Sequence, residues 1–453
     1  MSEALSAGKK RPAAKTTASK KTSVKAGALK TASAKTSSDR ITHLPGYGKV
    51  DEVQFAGYAS VRGQTGNNGA DAADEKLFYW FVGAPEYEKK PTIIWTNGGP
   101  GSSSFWGFFL ENGPYSISAD GKKLSKRPEA WNNYANYMIF EHPLSVMLSV
   151  AEKPEDIPAN VELGIDQLYQ ALLNFLALHP EIAKTPIILA GESYAGTYLP
   201  LLGKAILEGN RKGLAKIDLR VMVLCDAWVD PMVQMAQDTT WALAHGLISQ
   251  AQKQWLDATY KDRLPEINNA IAELCGVYMT NTAQLADPSF KPIYAYLNDA
   301  AVREALHVPA HYPKLTQNWS PQIGSNYQAR VNESFRHVVQ ELLDGGPDAG
   351  QNAKEKLVRL DGSKLHVRVV SGLNDAKDCN FLGTQAWLDL LQGDAAYRFQ
   401  SAHTQQWKDA QKNVIGFHQD GGQLSWLKVL NAGHMAARDQ PDLVQYILAA
   451  LKP

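Results

Sequence analysis

Ser193 stands in the middle of Gly-Glu-Ser-Tyr-Ala-Gly, residues 191–196, directly after the apolar run Ile187, Ile188, Leu189, Ala190 and before a helical pattern through Leu201, Leu202, Ala205 and Ile206. A serine hydroxyl is a poor nucleophile unless a strained strand-to-helix turn lifts it clear of its neighbours and a base can reach it. Gly191 and the small Ala195 leave room for such a turn. The chemistry this spacing points to is nucleophilic attack by Ser193 on a carbonyl carbon.

A nucleophile needs somewhere to place the developing negative charge. Residues 91–104 read PTIIWTNGGPGSSS, a predicted strand over 92–96 running into a glycine-rich loop whose backbone can approach a substrate and donate an N–H to an oxyanion. Tyr194, the residue after the nucleophile, supplies a second N–H. A base and an orienting acid are expected at two further strand ends. Residues 365–370 lead through Ser371 and Gly372 to Asp375, and residues 424–430 lead through Asn431 and Gly433 to His434. Of eleven histidines, His434 is the one that follows a predicted strand and a glycine. The chain order Ser193, Asp375, His434 is the triad order of α/β-hydrolases.

Four blocks together carry a family resemblance: WTNGGPGSSS with Glu111-Asn112-Gly113-Pro114, GESYAGTYLP from Gly191, SGLNDAKDCNFLG from Ser371 and VLNAGHM from Val429. The chain resembles the serine carboxypeptidases, peptidase family S10, from about residue 44 onward, including YLNDAAVREALHVP from Tyr296 and the triplet Asn318-Trp319-Ser320. The resemblance implies a serine-type carboxypeptidase that forms an acyl-enzyme on Ser193, with peptides bearing a free C-terminus as substrates and no cofactor. It implies that the oxyanion donors are the amides of Gly99 and Tyr194. It also implies that Asn97 and Glu192, with Glu111 bonded to Glu192, hold the substrate's terminal carboxylate. Two crowded carboxyls raise each other's pKa, so a neutral glutamic acid can donate a hydrogen bond there. The alternatives are an esterase or acyltransferase using the same triad, and a partner-binding homologue without turnover. Glu192 speaks against acyl transfer, since that branch of the family tends to carry Asp at this place.

Several positions depart from the family pattern. Cys225, Asp226 and Ala227 replace Gly-Asn-Gly, and Ser145 and Met147 replace two glycines in the segment from Glu141 to Ser149, so a pocket lined by that segment would differ in shape. Ser102 stands where many relatives have a disulfide cysteine. One extra residue precedes Cys379, which makes Asp378 a fallback for the acid. Asp375 is preferred because it keeps the family spacing from Gly372. Cys379 matches a thiol near the active site in some relatives or is a packed core residue, and Met435 either faces the leaving residue or packs in the core.

Around these motifs, the fold class expected is α/β: an α/β-hydrolase fold, with a doubly wound, mostly parallel sheet and a helical cap insertion. Predicted strands cover 77–82 and 219–224. A helix carries Val161, Ile165, Leu168, Leu172, Phe175 and Leu176 on one stripe, and another closes the chain over 443–451. The cap is expected over about 231–295, within a catalytic domain of 44–453. Residues 1–43 are read as a disordered basic tail rich in Lys, Ala, Ser and Thr, which has too few apolar groups to fold. Residues 1–40 hold ten Lys or Arg against Glu3 and Asp39 in a chain with 46 basic and 46 acidic residues, so a tail of +8 sits on a body of −8. The tail could contact nucleic acid or an anionic surface, or remain a solvated extension. Three cysteines permit at most one disulfide, which suggests a reducing compartment. With neither an apolar leader nor a membrane-length run, a cytoplasmic location and no membrane partner are expected. No metal is expected: His307 and His311 are four apart, but Pro309 between them breaks a shared helical face. Residue preference and oligomeric state are not readable from the sequence.

Overall fold

The computed structural model describes residues 39–62, 75–346, 356–377 and 379–451. The basic segment as far as residue 38, and Asp378, lie outside the described residues. The strands within them are β1 (Arg40–Leu44), β2 (Gly48–Ser60), β3 (Lys76–Val82), β4 (Thr92–Thr96), β5 (Tyr115–Ile117), β6 (Leu124–Lys126), β7 (Asn136–Phe140), β8 (Ile187–Ser193), β9 (Leu219–Ala227), β10 (His366–Gly372), β11 (Thr404–Lys408), β12 (Val414–Asp420) and β13 (Leu424–Val429). Eleven of them form one sheet in the order β1-β2-β3-β7-β4-β8-β9-β10-β13-β12-β11, while β5 and β6 pair separately. The parallel order expected for the sheet holds in its six central strands, β7 to β13 in that order. Antiparallel pairs extend it at both edges. β1 takes residues 40–43, which the sequence reading assigned to the tail. Ile41 and Leu44 are buried there, so two apolar side chains three apart suffice to hold a short edge strand on β2.

Alternation along the central strands sends side chains into two cores. In β8, Ile187 and Leu189 join one and Ile188 and Ala190 the other; in β9, Met222 and Leu224 oppose Val221, Val223 and Cys225. This period of two with both faces apolar is why the strands read as continuous hydrophobic runs. The first core is covered by the helices Val161–Leu178, Ala195–Arg211 and Arg336–Asp344. Val161–Leu178 starts where the side chain of Asn160 accepts the N–H of Leu163 at 3.0 Å, an N-cap that satisfies one of its open amides. The closing helix Leu443–Ala449 and the helix Lys291–Leu297 cover the second core.

Among the described residues, the regular elements between β9 and β10 are helices. The expected cap divides: Trp241, Ala242, Ile248, Leu256, Ile267, Ala270 and Ile271 form a small core of their own with Ala376. From Phe290 to Leu315 the buried side chains join the second main core instead. The semi-independent part is therefore shorter than 231–295. The reason is the apolar content of Phe290, Ile293, Tyr296 and Leu297, all buried against the body.

Candidate active site

The C-terminal ends of β4, β8, β9, β10 and β13 lie along one edge of the parallel sheet, the edge at which open α/β sheets bind ligands. Registers place Thr96 beside Gly191, Ser193 beside Ala227 and Gly372 beside Val429. Ser193 has φ of 61°, a left-handed conformation that costs a non-glycine residue about 1–2 kcal/mol. The surrounding structure holds it there: Trp228 N–H donates to the Ser193 carbonyl at 2.8 Å, and the helix Ala195–Arg211 departs at once. The positive end of that helix lies directly behind the serine.

The loop after β4 is pressed onto this elbow. A Cβ on Gly98 would lie 2.3 Å from Tyr194 N, so only glycine lets the two segments approach this closely. Among the described residues, neither the Gly99 nor the Tyr194 N–H donates a hydrogen bond within the protein. The loop is anchored from below by Glu141, whose carboxyl accepts from the Ser103 hydroxyl and the Ser104 N–H at 2.8 Å each. Burial pushes Glu141 up to about 8.

Asn97, Glu111 and Glu192 meet in one buried cluster. Asn97 Nδ2 donates to Glu111 Oε1 and to Glu192 Oε1, both at 2.9 Å. Asn97 Oδ1 accepts from the Trp95 indole N–H and the Gly107 N–H, which fixes the amide's orientation. The Oε2 atoms of both glutamates are buried, and among the described residues no amide or hydroxyl group donates to them. Desolvation, followed by the charge of Glu111, holds Glu192 well above the usual carboxylate range. Glu111 is raised too, by desolvation, which hydrogen bonds from Glu192 and Asn97 partly offset.

Across Ser193, Asp375 and His434 are paired. His434 Nδ1–H donates to Asp375 Oδ2 at 2.8 Å, and Lys377 N–H donates to Asp375 Oδ1 at 2.9 Å. With its proton on Nδ1, the imidazole presents Nε2 as an acceptor. Asp375 is wholly buried and His434 nearly so. The hydrogen bond between Ser193 and His434 that a closed triad requires is not formed: among the described residues, the Ser193 hydroxyl makes none. Ser193 is half-buried, and nucleophile–base bonds in substrate-free sites are characteristically loose.

The sequence reading missed the segment that ties the Asp375 and His434 loops together. His434 N–H donates to Thr280 O at 2.7 Å, Thr282 N–H to Asn374 O at 3.1 Å and Ala376 N–H to Met279 O at 2.9 Å. Asp439 adds a hub, accepting from Asn281 Nδ2, Gly433 N–H and Arg438 Nε within 2.9 Å. A Cβ on Gly433 would lie 2.4 Å from Asn281 Cβ, so the close packing explains this glycine. The local hint was the Asn-Thr pair at 281–282, an Asx-turn signal borne by the bond from Ala283 N–H to Asn281 Oδ1. Nothing local marked its partner loops.

Two of the departures from glycine keep a glycine-like backbone: Ser145 and Met147 have φ of 93° and 45°. Side chains have thus been added without straightening the turns. Ser145 and Met147 line a cavity of about 310 Å³ with Val150, Leu315 and Trp319, and the Trp319 indole N–H donates to Pro100 O at 2.8 Å. Cys379 and Met435 are buried, and no group of three or more His, Cys, Asp or Glu able to hold a metal occurs among the described residues. Nor is any helix among them long and apolar enough to cross a membrane.

The sequence profile of the serine carboxypeptidases matches residues 45–287 and 276–451, nearly the whole of the described body. The chain belongs to the serine carboxypeptidase family. It is 25% identical over 391 residues to serine carboxypeptidase-like 50 of Arabidopsis thaliana, covering 82% of each chain. With serine carboxypeptidase S10 family member 1 of Dictyostelium discoideum it shares 28% identity over 412 residues, covering 86% of this chain and 91% of the other. The solved structure of Kex1(delta)p, a prohormone-processing carboxypeptidase from Saccharomyces cerevisiae, superposes with a TM-score of 0.75 at 20% identity, covering 90% of this chain and 95% of that one, a likeness of fold. As a serine carboxypeptidase the chain is a hydrolase on the α/β-hydrolase fold.

Proposed function

We propose that this serine carboxypeptidase releases C-terminal residues from peptides through an acyl-enzyme on Ser193. Ser193 attacks the last peptide carbonyl. His434 takes its proton through Nε2 and returns it to the leaving amine, while Asp375 holds the imidazole in the Nδ1–H tautomer. The Gly99 and Tyr194 amides receive the oxyanion, and hydrolysis of the acyl-enzyme by water restores the hydroxyl.

The observation that carries the peptide-acid specificity is the Asn97, Glu111 and Glu192 cluster. A carboxylate ligand beside two ionised glutamates would be repelled. A buried pair that retains a proton offers it a donor instead, next to the amide of Asn97. Glu192, which precedes Ser193 in the chain, ties the cluster to the nucleophile elbow. The test is release of the terminal amino acid from an N-blocked dipeptide acid and from its amide, in wild type and Ser193→Ala, with a serine-directed phosphonylating probe. Release from the acid in preference to the amide, abolished in Ser193→Ala, is expected. Labelling at Ser193 without release would transfer the assignment to ester hydrolysis or acyl transfer, and neither result would leave a binding role.

A further inference from the structure

Asp226 is the penultimate residue of β9, which lies between the strand that carries Ser193 and the one that leads to Asp375. It is fully buried and held at φ of 39°. Oδ1 accepts the N–H of Gly372 at 2.7 Å, the residue from which the loop to Asp375 leaves the sheet. Oδ2 is buried with no hydrogen-bond partner. The charges that face it share its sign: Asp375 foremost, then Asp439 and Glu111, with Glu192 and the thiol of Cys225 alongside. The Nδ1–H of His434 is already engaged by Asp375, and the guanidinium of Arg438 by Asp439. A bare carboxylate oxygen in such surroundings has neither solvent nor counter-charge.

We propose that Asp226 is a positioning residue that works as a neutral carboxylic acid, anchoring Gly372 through Oδ1 and carrying its proton on Oδ2. Ionising it sets a second negative charge against Asp375, which repels that carboxylate and loosens the loop that presents it to His434. The inference rests on the triad reading above. Burial and the Asp375 charge both favour the protonated form and hold the group well above the usual carboxylate range. Activity is therefore lost as pH rises. The Glu192 and Glu111 pair predicts an alkaline loss as well, but only for substrates bound through a terminal carboxylate.

An N-blocked amino-acid ester lacks that carboxylate and isolates Asp226. With the full chain, kcat/KM for the ester is measured against pH in wild type, Asp226→Asn and Asp226→Ala. In Asp226→Asn, which keeps an acceptor for Gly372 but cannot ionise, the alkaline limb is expected to move up by about one pH unit or more. Asp226→Ala, which loses the acceptor, should lower kcat by about tenfold with little change in KM. An alkaline limb in Asp226→Asn that coincides with wild type overturns the proposal. If that variant does not fold, the low-field resonance of the His434 Nδ1 proton in the wild type is titrated instead. A second inflection above that of the imidazole supports the role, and a single inflection overturns it. Turnover surviving in Ser193→Ala would instead sink the triad reading itself, so the two failures are distinguishable.

Discussion

On one flank of Ser193, Asn97 bridges two buried glutamates whose outer oxygens lack a donor. On the other, both oxygens of Asp375 accept hydrogen bonds, and the loops bearing Asp375 and His434 are laced to residues 279–282 and to Asp439. The first flank keeps unspent hydrogen-bonding capacity in a desolvated place, which suits a group that must receive a ligand. The second spends its capacity internally, which suits a group that must hold an imidazole at a fixed angle. Binding surfaces and proton-transfer machinery thus ask opposite things of buried polar atoms.

The contrast is broken most forcefully at the pinned flank. Asp375→Asn is expected to cut kcat by about 10⁴-fold with KM little changed, because the wrong tautomer would face Ser193. Steady-state kinetics at the pH optimum measures it, and a fall of less than about tenfold would remove Asp375 from the triad. On the open flank, Asn97→Ala should reduce kcat/KM for a peptide acid by about 10- to 100-fold while leaving the corresponding ester within a few-fold. Glu192→Gln should carry the peptide-acid profile further into alkaline pH, since it cannot ionise. Equal losses for acid and ester would show that the two flanks are not divided in this way.

Smaller effects sharpen the comparison. Asn281→Ala removes one donor to Asp439 and should destabilise the fold by about 1–3 kcal/mol, read as a lowered Tm, with a fall in kcat rather than a rise in KM. The buried acids also shape stability against pH. Glu141 is raised to about 8, so between the ordinary carboxylate range and about 8 the folded chain holds a proton that the unfolded chain has released. Stability then falls as pH rises through that window, by about 1.4 kcal/mol per pH unit for one proton. Glu141→Gln should flatten that slope in denaturant titrations. His142 acts in the opposite sense: burial lowers it to about 3, so its contribution is lost as pH falls from about 6.5 toward 3. Least of all, Ser145→Gly should gain up to about 1 kcal/mol by relieving its positive φ, offset in part by the greater entropy of the unfolded chain.

Much of the site was legible because its parts are local. The elbow needs a strand, a small-residue turn and a helix within some twenty positions, and the expected strands at 92–96, 219–224 and 424–430 fall on β4, β9 and β13. The helix expected through Val161 and Leu176 is likewise present. Boundaries set by tertiary packing were not legible. β1 reaches into the supposed tail because Ile41 and Leu44 find buried places beside β2, and the cap ends early because Phe290 and its neighbours find the main core. The role of Glu141 was hidden in the same way, since Ser103 and Ser104 lie 37 or more residues away.

Residue type and short-range spacing were enough to pick out the turn at Ser193, the chain order Ser193, Asp375, His434 and the glycine-rich loop, because strained turns and alternating apolar runs are enforced by neighbours in the chain. The docking of residues 279–282 between the two loops, the proton-sharing crowd around Glu192 and the solitary oxygen of Asp226 arose only on folding. The first depends on backbone groups of distant segments meeting, the other two on desolvation and on like charges gathered by strands far apart in sequence, and those energies do not exist until the sheet has assembled.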